Sequence, residues 1–255
     1  MYNFLKKIYK FLTPRKIHYK LENHLRNILY NLFYIGNEYY CEICDANLKK
    51  FITINFTNQT DLLCPKCGSI SRTRVLYNYI LNDINQNKND ILDFSPHRCI
   101  YEKFSKSEKN YTANDFENQF VADTQYDITN LPFKDNSFDL IICFHVLEHV
   151  KDDDKAIINL NRILKEKGDV LVQVPIKEGK TDEDLSILEP KEREKRFGQS
   201  DHVRLYGKKD LENKLQALGF NTKIIDYSKK FSTNHLKHLG IKESEFFFHC
   251  TKKSF

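Results

Sequence analysis

From Asp90 onward, short runs rich in β-branched and aromatic residues alternate with stretches of helical periodicity: DILDF, NYTAND, FDLIICF, DVLVQVPI, NTKIIDY and EFFFHCTK. Runs of this kind, apolar on consecutive positions and separated by helices, predict strands buried on both faces of a largely parallel sheet. The expected class is therefore α/β, with helices on both faces of the sheet. The clearest helix is expected between Asp152 and Lys167, with acidic residues at its start, Ile157, Leu160, Ile163 and Leu164 on one face, and Gly168 as its stop. Before Asp90 the pattern differs. Residues 1–36 read as helical with an interruption at Pro14, residues 37–74 carry turn formers such as Pro65 and Gly68, and Arg72 to about Ile84 reads as a helix leading into the sheet.

The chain has 255 residues, enough for one substantial core and a small added module. This gives a division into a helical segment (1–36), a cysteine module (37–74) and one α/β domain (75–255). No apolar run reaches the ~20 residues needed to cross a bilayer. The lysines in MYNFLKKIYKFLTPRK interrupt what a secretion signal would need as an apolar stretch, so a cytoplasmic protein is expected. Net charge is +5, with the basic residues spread along the chain, which permits a nucleic-acid partner without demanding one. The first forty residues are more basic, and Phe4, Ile8, Phe11 and Leu12 recur at helical spacing. The plainer reading is a helix docked on its own domain, and the alternative is peripheral contact of residues 1–20 with an anionic membrane.

Seven cysteines are present, and four form the pairs Cys41-x-x-Cys44 and Cys64-x-x-Cys67, nineteen residues apart. In a cytosolic chain that spacing points to a closed, structural four-thiolate zinc site. A redox dithiol is the competing reading, but such motifs rarely come as two pairs at this spacing. Cys99, Cys143 and Cys250 lie in or beside strand-like runs and read as small core residues.

The block from Asp127 to Val150, containing LPFKDNSFDLI and HVLEHV, is followed by NRILKEKG and a strand ending Val174-Pro175. In this order it closely resembles class I S-adenosylmethionine-dependent methyltransferases, which implies a Rossmann-like, mostly parallel sheet with the last strand antiparallel, here beside a small zinc-ribbon-like module. The resemblance implies that Asp115 accepts hydrogen bonds from the ribose hydroxyls and that Asp127 takes the adenine amino group. It also implies that Ile128 packs on the ring, and that Phe144 and His145 face the methionine part and the transferring methyl. One motif departs from the pattern. Where most such enzymes have a glycine-rich turn after the first strand, this chain reads Asp93-Phe-Ser95-Pro96-His-Arg-Cys99, with no glycine and with one N–H donor removed by Pro96. A subset associated with surface-glycan genes is similar in carrying a proline-containing turn here and a segment like Phe197-Gly-Gln-Ser-Asp-His-Val-Arg-Leu-Tyr-Gly207.

His145-x-x-Glu148-His149 also fits an inverted zinc-peptidase signature. That signature needs a helix through both histidines, whereas His145 directly follows the strand-like FDLIICF. The polar stretch 177–207 is too long for a plain strand-to-helix connection and is expected to form a lid holding His202. His145, His149 and His202 are the candidate general bases, His202 first if the acceptor is a sugar hydroxyl. The expected function is methyl transfer to a small-molecule or glycan acceptor. An RNA methyltransferase gripping substrate with the knuckle and the nearby Arg72 and Arg74, and a non-catalytic zinc-bearing relative, are the alternatives.

Overall fold

The computed structural model describes residues 15–55, 60–84, 86–107 and 110–253, with side chains from Glu22 onward. The amphipathic pattern at Phe4, Ile8, Phe11 and Leu12, and with it most of the membrane reading of residues 1–20, lies outside the described residues. Among those described, no helix is long and apolar enough to cross a membrane.

The N-terminal part comprises α1 (Arg15–Phe33), the hairpin β1 (Ile35–Cys41) and β2 (Ala46–Leu48), the pair β3 (Ile52–Asn55) and β4 (Thr60–Leu63), and α2 (Ser71–Asn82). The sheet-forming part continues with β5 (Asp90–Phe94), α3 (Arg98–Phe104), β6 (Asn110–Asn114), β7 (Phe138–Phe144), α4 (Asp153–Ile163) and β8 (Leu164–Gln173). Then come β9 (Ile176–Lys177), β10 (Asp182–Glu183), α5 (Pro190–Phe197), β11 (Arg204–Gly207), α6 (Lys208–Ala217), β12 (Phe220–Asp226), α7 (Tyr227–Lys230), α8 (Thr233–His238) and β13 (Phe246–Lys252).

The central sheet has the order β12-β13-β8-β7-β5-β6. The β6, β5, β7 and β8 neighbours are parallel, and β13 runs antiparallel to both β8 and β12. Consecutive residues enter opposite cores, as the period of two requires: Ile91, Leu140, Leu171 and Phe247 join one buried cluster, and Leu92, Ile141, Val172 and Phe248 the other. Helices α4 and α6 close the second face through Ala156, Leu160, Leu211 and Leu215. The first face is closed by α2, α3 and the cysteine module together, since Cys41, Ile43, Leu48, Val75 and Tyr79 belong to the same cluster as Ile91 and Phe247. Cys99, Cys143 and Cys250 are all buried.

One boundary differs from expectation. The helix predicted as far as Lys167 stops at Ile163, and Leu164 already pairs with Phe138. The N–H groups of Asn136 and Ser137 bond the carbonyls of Arg162 and Ile163, at 3.0 and 2.7 Å, and the chain leaves as an extended strand. Residues 165–168 form an irregularity between the Phe138 and Leu140 registers. Gly168 is therefore not a helix stop. A Cβ there would lie 2.6 Å from the Leu164 side chain, which is the close approach the glycine permits.

Candidate active site

Strand β5 lies between β6 and β7, so successive connections leave it in opposite directions and open a crevice at the carboxyl ends of these strands. The glycine-free turn after β5 solves its backbone problem with Ser95, which adopts the left-handed conformation (φ 50°) that glycine would take freely. Its N–H bonds the Asn114 carbonyl at 2.7 Å, and its hydroxyl donates to Asp115 Oδ1 at 2.9 Å. Pro96 follows, buried. Asp93, also buried, accepts from the Tyr111 hydroxyl at 2.8 Å, and burial pushes its carboxyl up to about 8 against that bond.

Asp115 is buried just beyond β6, where Oδ2 accepts the N–H groups of Gln119 and Phe120. Two backbone donors and Ser95 thus hold the carboxylate rigid, leaving Oδ1 with one further acceptor direction. Asp127 is exposed and caps the Thr129 N–H at 2.8 Å, while Ile128 is buried beside Leu131 in the apolar cluster. Phe144 is half-buried, its ring centroid 5.8 Å from that of Phe247. An S-adenosylmethionine molecule suits this set: a buried, oriented carboxylate after the second strand, an apolar residue next to an exposed carboxylate, and a turn opened by a left-handed residue.

His145 follows β7 in a left-handed conformation (φ 56°) with its N–H on the Gln173 carbonyl at 2.7 Å. Only a three-residue 3-10 turn, Leu147–His149, follows, so the two histidines do not share a helical face and the peptidase geometry is not formed. Instead the turn meets residues 201–206. The His149 and His202 rings pack edge to face at 4.7 Å, and the Val203 N–H bonds the Glu148 carbonyl at 3.0 Å. His149 Nδ1 lies 3.2 Å from the Asp201 carboxylate, and His202 Nδ1 bonds the Phe197 carbonyl at 3.0 Å. Burial lowers the pKa of His145, with the Arg72 charge adding to it, and burial likewise lowers that of His202. Burial raises Glu148, but the adjoining His145 and His149 imidazoles outweigh it and hold the carboxyl below its ordinary value.

The segment 177–207, expected to form a lid, has structure of its own: β10, β11 and β9 form a small sheet, and α5 adds a helix. It is fastened by two residues the sequence reading passed over. Buried Arg204 donates to the carbonyls of Leu147 (3.0 Å), Val150 and Lys151 (2.9 Å) and pairs with Glu183. Buried Tyr206 donates to Asp153 at 2.5 Å, which also holds Lys214 at 2.8 Å. Arg204 and Tyr206 stand two apart on one strand, so they share a face, and that alternation within DHVRLYG was the available signal.

In the cysteine module, Cys41 Sγ lies 3.7 Å from Cys67 Sγ, Cys44 Sγ lies 3.7 Å from Cys64 Sγ, and all four sulfurs are within 4.8 Å of one another. Ligands at ~2.3 Å from a tetrahedral zinc would be separated by about 3.8 Å, so the donor set fits that ion. Gly68 (φ 77°) makes the left-handed turn after the second pair, and its N–H returns to the Cys64 carbonyl at 2.9 Å. Arg74 is buried, bonded to the carbonyls of Ser69 (2.7 Å), Leu62 (2.8 Å) and Gly240, with its guanidinium 4.4 Å from the Phe51 ring centroid. It joins the module to the connection before β13 and is not available to a nucleic acid.

A parallel sheet closed by one antiparallel strand, with its crevice at the β5–β7 switch, is the architecture of S-adenosylmethionine-dependent methyltransferases. The family profile described as "Methyltransferase domain" matches residues 60–223, and the chain belongs to that family. A relative, an uncharacterized protein of Methanocaldococcus jannaschii, is 33% identical over 134 residues; the match takes in 51% of this chain and 48% of that protein, about half its length. Among solved structures, the [4+2]-cyclase SpnF is 15% identical over 93% of this chain and 95% of its own, with TM-score 0.50. A chain from the complex of the Haloferax volcanii Trm112 methyltransferase activator with its methyltransferase partner is 14% identical over 72% of this chain and 91% of its own, also with TM-score 0.50. These two share the fold, and since one is a cyclase, the fold alone does not fix the reaction.

Proposed function

We propose that this chain transfers the methyl group of S-adenosylmethionine to a hydroxyl of a small-molecule or glycan acceptor, in the cytoplasm. The observation that carries the reading is the convergence of His145, Glu148, His149 and His202 just beyond Phe144, where Arg204 pins the 177–207 lid to the turn after β7. The cofactor supplies the sulfonium methyl for an in-line displacement, so the protein's share is positioning and activation of the acceptor. Asp115 holds the ribose, Asp127 the adenine amino group and Ile128 the ring face, and the turn of Asp93, Ser95 and Pro96 passes under the methionine part. Phe144 and His145 border the methyl, with the histidine cluster on the acceptor side. A zinc ion on Cys41, Cys44, Cys64 and Cys67 is structural. Burial of Arg74 counts against the RNA reading, because it removes one of the two arginines that would grip a strand.

Calorimetry with S-adenosylhomocysteine tests the cofactor side: Asp115→Ala should lose about 1.5–3 kcal/mol of binding, the range for hydrogen bonds to a charged group. His202→Ala should lower turnover on a hydroxyl acceptor with cofactor affinity nearly unchanged. If wild type gives neither heat nor a thermal shift with millimolar cofactor, the chain is a non-catalytic relative. Full turnover by His202→Ala would move the acceptor to a nitrogen or carboxylate, which needs no activation there.

A further inference from the structure

We infer that Glu148, His149 and His202 form a second metal site, separate from the four cysteines, that takes one divalent first-row transition ion at the acceptor end of the crevice. One ligand atom from each of the three residues lies within 4.8 Å of the other two. Glu148 is fully buried, and among the described residues neither of its carboxylate oxygens has a hydrogen-bond donor. His145 Nδ1 stands 3.2 Å from Oε1 without the alignment of a hydrogen bond. Both oxygens of this buried carboxylate are thus open to ligate a cation, which would complete the pairing that His145 begins.

The imidazoles are prepared in the complementary sense. His202 is buried with Nδ1 on the Phe197 carbonyl, and its Nε2 is buried without a partner. His149 has Nδ1 against the Asp201 carboxylate. An acceptor at Nδ1 places the proton there and leaves the Nε2 lone pair free, the arrangement by which outer carboxylates and carbonyls orient metal-binding histidines. Two imidazoles and one carboxylate favour a first-row transition ion over calcium or magnesium. Three protein ligands leave room for an outside oxygen, the mark of a reactive rather than a closed structural site. What such an ion does for a hydroxyl rests on the reading proposed above, but its presence does not, and it is measured without turnover.

The 255-residue protein with zinc on its cysteines is titrated with Co²⁺ and followed by absorption. The expected result is one equivalent bound with weak visible bands and no thiolate charge-transfer band. Glu148→Gln and His202→Ala should abolish these bands, and Asp201→Ala should weaken binding ~10–100-fold, the usual effect of losing a histidine's outer partner. Thermal melts keep the test independent of a folding defect. Without added cobalt, Glu148→Gln should still melt in one cooperative step, and cobalt should stabilise wild type alone. Absence of cobalt bands in wild type, bands only of thiolate character, or unaltered bands in a folded Glu148→Gln protein would each overturn the inference.

Discussion

Ser95 shows how a single residue replaces a motif. The sequence reading met a turn with no glycine and counted the loss, because a backbone angle is not written in a residue's name. Serine tolerates φ near 50° at a cost, and here its hydroxyl bond to Asp115 offsets part of that cost. Ser95→Gly and Ser95→Ala both delete the hydroxyl, but only alanine keeps the strained Cβ. Glycine should therefore be the more stable variant by about 1 kcal/mol in urea melts, and equal stability would mean that the turn is not left-handed in solution. Asp93 yields a pH prediction from the same turn. Its carboxyl is raised from 3.8 to about 8, so the folded state holds the proton more tightly. Its contribution is complete below about pH 4 and declines as pH rises toward 8, by at most about 1.4 kcal/mol per unit. The stability difference between wild type and Asp93→Asn should fall across that window, and a flat difference would place Asp93 in contact with water.

At the scale of elements, periodicity revealed the strands because their two-sided burial leaves long apolar runs, and it placed β5, β7, β12 and β13 well but missed the first residues of β8. It overran the end of α4, since Leu164 continues the helical spacing while its partner, Phe138, is distant in sequence. The 177–207 segment was legible as an insertion that contains His202. What fastens the lid was not, because Arg204 on a short polar strand looks like any surface arginine until the carbonyls of 147–151 are seen around it. Glu148 was hidden for the same reason, its burial being a tertiary fact. Arg204→Ala removes donors from three carbonyls and a partner from Glu183. Loss of one partner from such a buried network costs about 3–5 kcal/mol. The variant should melt lower and lose turnover, with susceptibility to proteolysis appearing first between residues 177 and 207. Cleavage starting elsewhere would show that the lid is held by other contacts.

For the whole molecule, the division at residue 74 separates sequence patterns but not cores. The cysteine module supplies Cys41, Ile43 and Leu48 to the cluster that covers one face of the sheet, and Arg74 and Ser71 tie α2 to Gly240 and Lys242 across it. Structural zinc is commonly worth ~10–16 kcal/mol to a small domain, and zinc on these four cysteines would couple that free energy to the layer beneath. If the proposed zinc is removed by a strong chelator, the module should not melt by itself and leave the sheet intact. One cooperative transition should move down, and losing even ~5 kcal/mol would lower it by about 10–20 °C for a chain of this size. S-adenosylhomocysteine binding should be lost in the same step, because α2 and α3 pack on β5 in that layer and β5 leads into the turn at Ser95. Calorimetric scans with and without chelator, read together with metal analysis, separate the outcomes. Two transitions, with the upper one unchanged and cofactor binding retained, would make the module an independent appendage. Zinc-free protein with an unchanged melt would remove zinc from the structure altogether.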